Sequence, residues 1–134
     1  MLRLQDSAAK TATGYGTIGG VAQTRQLDNA FTTGRFIVRA DNVEHDIYNK
    51  SQHYIIILEG GDDAAFTNQM ELARVELGWA ALFDTGNINK FEGHYITPFY
   101  NRVNGVIYPY VRTRHVIAGT GVSITYRAVL GRLP

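Results

Sequence analysis

The chain of 134 residues has no cysteine, three prolines and one tryptophan. The absence of cysteine excludes disulfides and thiolate metal ligands, so we expect the hydrophobic core to hold the fold together. No apolar run approaches the roughly 20 residues that a membrane span needs, and no charged-then-apolar leader opens the chain. These absences predict a soluble protein that has no membrane partner and is made in a cytoplasm.

Net charge is also small, with a formal value of +1. This balance gives no electrostatic reason to expect a nucleic-acid partner. Within the charged set, arginine outnumbers lysine ten to three, and the chain has eight tyrosines. Arginine and tyrosine are enriched in protein–protein contact surfaces, where lysine is depleted. The bias indicates either a contact surface or a compositional bias of the lineage.

The hydrophobic pattern predicts an all-β fold. Alternation of apolar and polar residues is typical of half-buried strands, and a β-branched run closed by Gly-Gly is typical of a buried one. The predicted strands are residues 35–41, 53–61, 93–100, 106–119 and 122–130. Pro98 marks a bulge or an edge, and AGTG predicts a hairpin between the last two strands. We expect a two-sheet antiparallel sandwich whose core includes Ile55, Ile57, Val122, Ile124 and Tyr126.

The segment DDAAFTNQMELARVELGWAALF fits two patterns. Its apolar residues match a helical stripe, and they also match a strand whose phase slips once near Ala73, as a bulge would cause. The neighbouring strands favour the second interpretation. We predict a short helical turn at 63–67 and then a strand from about Gln69 to Leu77.

The stretch GYGTIGG, Gly14 to Gly20, spells the dinucleotide-binding fingerprint G-x-G-x-x-G. That motif needs a buried strand before it and a helix after it, and neither is present in the sequence pattern. We therefore predict an extended, flexible N-terminal arm over residues 1–24, followed by the β domain over 25–134. The arm is expected to dock on another chain through the anchors Leu2, Leu4, Tyr15 and Ile18.

The sequence shows no catalytic signature, and we predict no enzyme, no cofactor and no metal site. Glu44, His45 and Asp46 are adjacent, but neighbours on an extended chain point apart. Asp62 and Asp63 follow a Gly-Gly turn, where aspartate is ordinary turn chemistry. One aromatic set fits a sugar-stacking platform, although core and contact roles are commoner for such residues; it comprises Trp79, Tyr95, Tyr100, Tyr108 and Tyr110.

The fourth predicted strand carries the candidate contact residues. Alternation places Tyr108, Tyr110, Arg112 and Arg114 on one face, a composition typical of interaction hot spots. In the alternative, both tyrosines face the core and the arginines lie at its rim. We expect a homo-oligomer whose contacts include some of these four residues.

Three stretches together resemble a known family. They are HYIIILEGGDDAAFTNQMELARVELG, then YPYVRTRHVIAGTGVSITYRAVLG, and faintly the N-terminal LRLQDSAAKTAT. The chain is similar in these stretches to the jelly-roll cement, or decoration, proteins of tailed bacteriophage capsids. The segment 79–105 has no counterpart in the resemblance.

The resemblance implies a jelly roll that forms a homotrimer, which is favoured, or a homodimer. It implies assembly in the host cytoplasm and a place on the outer surface of the virion head, where the protein clamps neighbouring major capsid protein subunits. The alternative function is a β-sandwich module that binds glycans or a host receptor.

Overall fold

The computed structural model describes residues 2–27, 33–46, 50–79 and 91–131, and every regular element in these ranges is a β-strand. In chain order the strands are β1 (Leu2–Lys10), β2 (Gly14–Tyr15), β3 (Thr17–Ile18), β4 (Val21–Ala22), β5 (Arg25–Gln26), β6 (Thr33–Val43), β7 (His53–Gly61), β8 (Gln69–Gly78), β9 (Gly93–Tyr100), β10 (Arg102–Val103), β11 (Val106–Ile107), β12 (Tyr110–Ala118) and β13 (Ile124–Gly131). The predicted all-β class is confirmed. No helix in the described ranges is long and apolar enough to cross a membrane.

The long strands form two antiparallel sheets. The first sheet has the order β1-β13-β6-β9, and in the second sheet β12 lies between β7 and the short strands β2 and β5, with β8 beyond β7. One core cluster contains buried side chains from both sheets, among them Leu4, Phe36, Ile124 and Tyr126 from the first and Tyr54, Ile56, Leu77 and Val111 from the second. The chain is therefore a β-sandwich.

Strand pairing follows a nested order. β1 pairs with β13, β2 and β5 pair with β12, β6 pairs with β9, and β7 pairs with β8. Apart from the two short hairpins β3–β4 and β10–β11, each strand of the first half of the chain therefore pairs with its mirror-image strand in the second half. Pairing of β13 with β6 and of β12 with β7 completes the two sheets.

The core of the sandwich agrees in part with the predicted set. Ile124 and Tyr126 are fully buried, and Val122 packs against the core cluster. Ile55 and Ile57 are buried too, but they alternate with the inward side chains of β7 and so face the outside of the second sheet. This difference arises because β7 is a central strand that is covered on both faces.

The strand predicted from about Gln69 to Leu77 is confirmed as β8, and so is the bulge near Ala73. Leu58 pairs with Ala73 and Glu59 pairs with Glu71, so Leu72 is the extra residue between the two pairs. The residues before β8 form a turn and not a helical segment. The extra residue explains the slip in the alternating pattern.

Pro98 lies on β9, which is an edge strand, as predicted. The hairpin predicted from AGTG is wrong, because β12 and β13 belong to different sheets and do not pair. The turn instead carries the chain from the second sheet to the first. Side chains alternate in both strands as predicted, but alternation does not reveal which strands are partners.

The structure corrects the prediction of an N-terminal arm over residues 1–24. β1 pairs with β13 along its length, with bulges that shift the register. Leu4 and Gln5 have no exposed surface, and Leu4 belongs to the core cluster. The N-terminal strand is part of the sandwich because it packs beside the apolar, inward-facing side chains of β13. The local sequence of β1 does not reveal this partner.

The glycines of GYGTIGG have local structural roles. Gly19 and Gly20 have φ values of +58° and +79° and join β3 to β4, which is the conformation of a two-residue type I′ hairpin turn. Gly16 is buried where β1 and β12 approach each other, and its N–H donates to the Thr113 carbonyl at 2.9 Å. A Cβ at Gly16 would overlap the Thr113 side chain and the Leu4 carbonyl. Glycine is therefore required there by close packing.

We expect a chain that begins at Gln23 to lose its cooperative unfolding transition, because the core loses Leu4 and β13 loses its partner. Leu4→Ala alone should lower the free energy of unfolding by about 2–5 kcal/mol. Val21→Ala is the matched control: Val21 is 64% exposed, and its loss should change stability by less than about 0.5 kcal/mol. Thermal denaturation followed by circular dichroism measures all three. An unchanged melting temperature in the shortened chain would contradict the role of β1.

His115 is a buried titratable group on the inward row of β12. Its Nδ1 lies 2.8 Å from the Tyr126 hydroxyl, and the side chain is 2% exposed. Burial, assisted by the nearby Lys10 cation, lowers the pKa of His115 from 6.5 to about 4. Burial also lowers the pKa of His53. Both imidazoles therefore bind a proton more weakly in the folded chain than in the unfolded one.

The unfolded chain takes up more protons than the folded chain between pH 6.5 and pH 4. The free energy of unfolding should therefore be highest above pH 6.5 and fall with decreasing pH, with His115 contributing about 2–3 kcal/mol. Urea unfolding at a series of pH values should show a shallower fall in His115→Gln. Val21→Ala, which changes an exposed side chain that does not titrate, should keep the wild-type slope. Equal slopes in all three proteins would exclude this role of His115.

Candidate interaction surfaces

The outer face of the second sheet contains part of the predicted contact strand. On β12, Val111, Thr113 and His115 are buried, while Tyr110, Arg112, Arg114 and Val116 alternate with them on the outer side. Tyr108 precedes β12 and is only 7% exposed, so little of its side chain is available for a contact with another chain. Its Cβ would lie 2.8 Å from a Cβ added at Gly60, which shows how tightly it packs against β7.

Arg112 lies at the centre of this face. Its guanidinium carbon is 3.9 Å from the ring centroids of both Tyr15 and Phe66, so the cation lies against two aromatic rings. Its Nε and Nη2 donate to Glu59 Oε1 at 3.0 and 2.6 Å. The structure thus brings together two predicted contact residues, Tyr15 and Arg112, but they contact each other within the chain and not another chain.

The remaining arginines of this face also have carboxylate partners. Arg114 lies 3.8 Å from Glu59, and Arg74 forms ion pairs with Glu71 and Glu76 at 2.7 and 2.6 Å. The hydrogen bonds that Arg74 donates to these two glutamates raise the pKa of Arg74. Three arginines and three glutamates therefore balance one another on the outer face of the second sheet.

The outer face of the first sheet carries a different arrangement, which the sequence analysis did not identify. Val129, Ile37 and Ile96 are cross-strand neighbours and form an apolar row. They line a shallow groove of about 400 Å³. We call this surface the basic face; its side chains are Arg3, Arg35, Ile37, Arg39, His94, Ile96, Arg127 and Val129.

Arginines lie on both sides of the apolar row of the basic face. Arg127, Arg39 and His94 are cross-strand neighbours on one side, Arg35 lies on the other, and Arg3 pairs with Val129 at the β1 end. Arg39 forms an ion pair with Asp41 at 2.9 Å. The other three arginines form no ion pair with any carboxylate of the described residues.

The predicted anchors of the N-terminal segment differ in how deeply they are buried. Leu4 is fully buried in the core, and Leu2 packs against the core cluster. Ile18 is half-buried in the β3–β4 hairpin, whereas Tyr15 is 46% exposed while its ring covers Arg112. Leu4 is therefore excluded as an anchor on another chain, and Leu2 is already packed within its own sandwich.

The predicted aromatic platform is not assembled. Trp79 contacts Phe91 with ring centroids 5.1 Å apart, Phe91 stacks on His45 at 4.0 Å, and Lys50 Nζ lies 5.4 Å from the Trp79 ring. Tyr95 joins this cluster by donating its hydroxyl to the Phe91 carbonyl. The other predicted members, Tyr100, Tyr108 and Tyr110, lie outside it; residues 80–90 of the 79–105 segment are outside the described residues.

The acidic pair Asp62 and Asp63 stabilises a turn. The Asp62 carboxylate accepts hydrogen bonds from the backbone N–H and the side-chain amide of Asn68, which lower the pKa of Asp62. The Asp63 carboxylate accepts bonds from the hydroxyl and the N–H of Thr67, which lower the pKa of Asp63. Among the described residues, no group of three or more histidine, aspartate or glutamate side chains is arranged to hold a metal ion.

We expect Arg112→Leu to lower the free energy of unfolding by about 2–3 kcal/mol, because Glu59 is 4% exposed and would keep only the distant Arg114 as a partner. The double variant Arg112→Leu/Glu59→Leu should recover part of that loss, since it leaves no buried charge unpaired. Urea unfolding of the two single variants and the double variant gives the coupling energy. Strictly additive effects would contradict the pairing.

Comparisons of the chain with protein-family models, with curated proteins and with solved structures give no match. The proposed function therefore rests on the strand order and on the surfaces described above.

Proposed function

We propose that this chain is a structural virion protein, a jelly-roll cement protein that binds the outer surface of a tailed-phage head. The nested strand pairing carries this proposal. A jelly roll forms when a long antiparallel ribbon folds over into two Greek keys, and pairing of the first strand with the last is the signature of such a ribbon. The resemblance of 35–78 and 106–131 to cement proteins favours the same architecture.

The surfaces of the sandwich suit a protein that acts by binding. A cement protein needs area that it can bury across the seams between major capsid protein subunits, and it needs no catalytic group. Binding only to the assembled shell stabilises that shell by mass action, and many equivalent sites multiply a modest gain per copy. The basic face offers an apolar groove with charged margins for such a contact.

In this proposal the chain assembles in the host cytoplasm and occupies the virion surface as a homotrimer or a homodimer. Arg112 is already satisfied within its own chain, so contacts between copies would use other exposed side chains. Val21, Val106 and Ile107 are 64%, 48% and 47% exposed at two short hairpins and are the candidates.

The purified chain should be retained when it is sedimented with expanded heads assembled from the major capsid protein of the same genome. Retention should saturate, and decorated heads should release DNA at a higher temperature than bare ones because the bound chain favours the closed shell. Heads of an unrelated phage are the control and should retain none.

The same preparation applied to a glycan array tests the alternative of a glycan-binding or host-receptor-binding module. Signal on the array without retention on heads would overturn the cement proposal and favour a role for the exposed parts of the Trp79 cluster. The proposal would also be overturned if the chain were neither retained on heads nor bound by any glycan on the array.

A further inference from the structure

We propose that the basic face is a docking surface for an acidic protein segment, one that places apolar side chains on the groove and carboxylates along its margins. The inference stands on this face alone, and it holds whether or not the partner is a capsid subunit. Its first support is the difference between the two outer faces of the sandwich. The outer face of the second sheet pairs its three arginines with its own glutamates, whereas Arg3, Arg35 and Arg127 of the basic face form no ion pair with a carboxylate of the described residues.

Charge complementarity identifies the partner's chemistry. Four arginines and His94 surround the apolar row, and at its margin Asp41 forms an ion pair with Arg39. Arginine presents a planar fork that binds a carboxylate in a bidentate manner and loses its hydration cheaply. A partner with glutamate or aspartate beside its apolar residues would satisfy both the charges and the groove.

The apolar row shows that the partner must also carry apolar side chains. Ile96 is 59% exposed on the edge strand β9, and Ile37 and Val129 continue the row toward the sheet centre. Covering these side chains removes apolar area from water, which a purely charged ligand would not do. The groove therefore favours a folded or extended protein segment over a small anion.

Two other occupants fit the face less well. A second copy placed face to face would bring arginines against arginines, and the balanced second sheet offers no net negative charge to a copy placed head to tail. Duplex nucleic acid presents phosphates rather than apolar groups along its backbone, and none of the six residues lining the groove is Trp, Tyr or Phe on which a base could stack.

The test uses synthetic peptides as probes of the whole chain. One peptide alternates glutamate with valine, a second alternates lysine with valine, and heparin and a short DNA duplex are further probes. Isothermal titration calorimetry should detect the glutamate peptide alone, with affinity that falls as salt is raised. Arg35→Glu/Arg127→Glu should bind it at least tenfold more weakly, because two attractions become repulsions.

Matched variants separate the charge and apolar contributions. Arg102→Glu reverses the charge of one exposed arginine outside the basic face and should bind the peptide as the wild type does, whereas the single variant Arg35→Glu, with the same charge change inside the face, should bind it more weakly. Ile96→Thr, which removes apolar area without changing the charge, should weaken binding without changing the melting temperature, since Ile96 is 59% exposed. Circular dichroism of every variant confirms that it is folded.

Each contrary result overturns the proposal. The proposal of an acidic partner would be contradicted if the glutamate peptide failed to bind. It would also be contradicted if the peptide bound the wild type and Arg35→Glu/Arg127→Glu equally. Heparin or DNA binding as tightly as the peptide would assign the face to sulfate or phosphate groups. Loss of self-association in Arg35→Glu/Arg127→Glu, measured by analytical ultracentrifugation, would make the face a contact between copies.

Discussion

Pairing of the first long strand with the last is the constraint on which the rest of the structure depends. The β1–β13 ladder inserts Leu4 into the core and gives β13 a second neighbour. The same strand holds the glycine-rich hairpin, since the Gln5 side chain accepts the Thr17 N–H and Asp6 accepts the Gly19 N–H. It also places Arg3 beside Val129 on the basic face.

This ladder joins residues more than a hundred positions apart, so the entropy of loop closure must be offset by the contacts that it makes. The offset comes from continuous burial, because the inward side chains of β13 are fully buried against both neighbouring strands and the opposite sheet. Residues Leu2–Lys10 are therefore a strand of the sandwich and not an extended arm. The glycines in GYGTIGG serve close packing and a tight turn, which is why a nucleotide-type spacing appears without a nucleotide-type fold.

Local periodicity was sufficient to predict the fold class, most of the long strands and the bulge at Leu72. It was insufficient for β1, where only Leu2 and Leu4 are large and apolar and the decisive partner lies at the far end of the chain. It was also insufficient for the link between β12 and β13, because a Gly-rich turn fits a hairpin and a sheet-to-sheet crossing equally well. Strand partners are a property of tertiary packing and not of either strand alone.

The contact surfaces show the same limit. Alternation correctly placed Tyr110, Arg112 and Arg114 on one face, but it could not show that Glu59, from another strand, neutralises the arginines. The basic face had a readable signal in the outward residues of RFIVR at 35–39, and that signal became a surface only when Arg127 and Val129 were brought beside them. Charge that is balanced within a face supports the fold, whereas charge left unbalanced is available to a partner.

A density map of the virion, from electron cryomicroscopy, tests the proposed cement function most directly. The account predicts sandwich-shaped density at regular positions on the outside of the head, with the first sheet turned toward the shell so that Arg35, Ile96 and Arg127 meet acidic side chains of the major capsid protein. Absence of that density from the head, or its presence at the tail or fibres, would contradict the account.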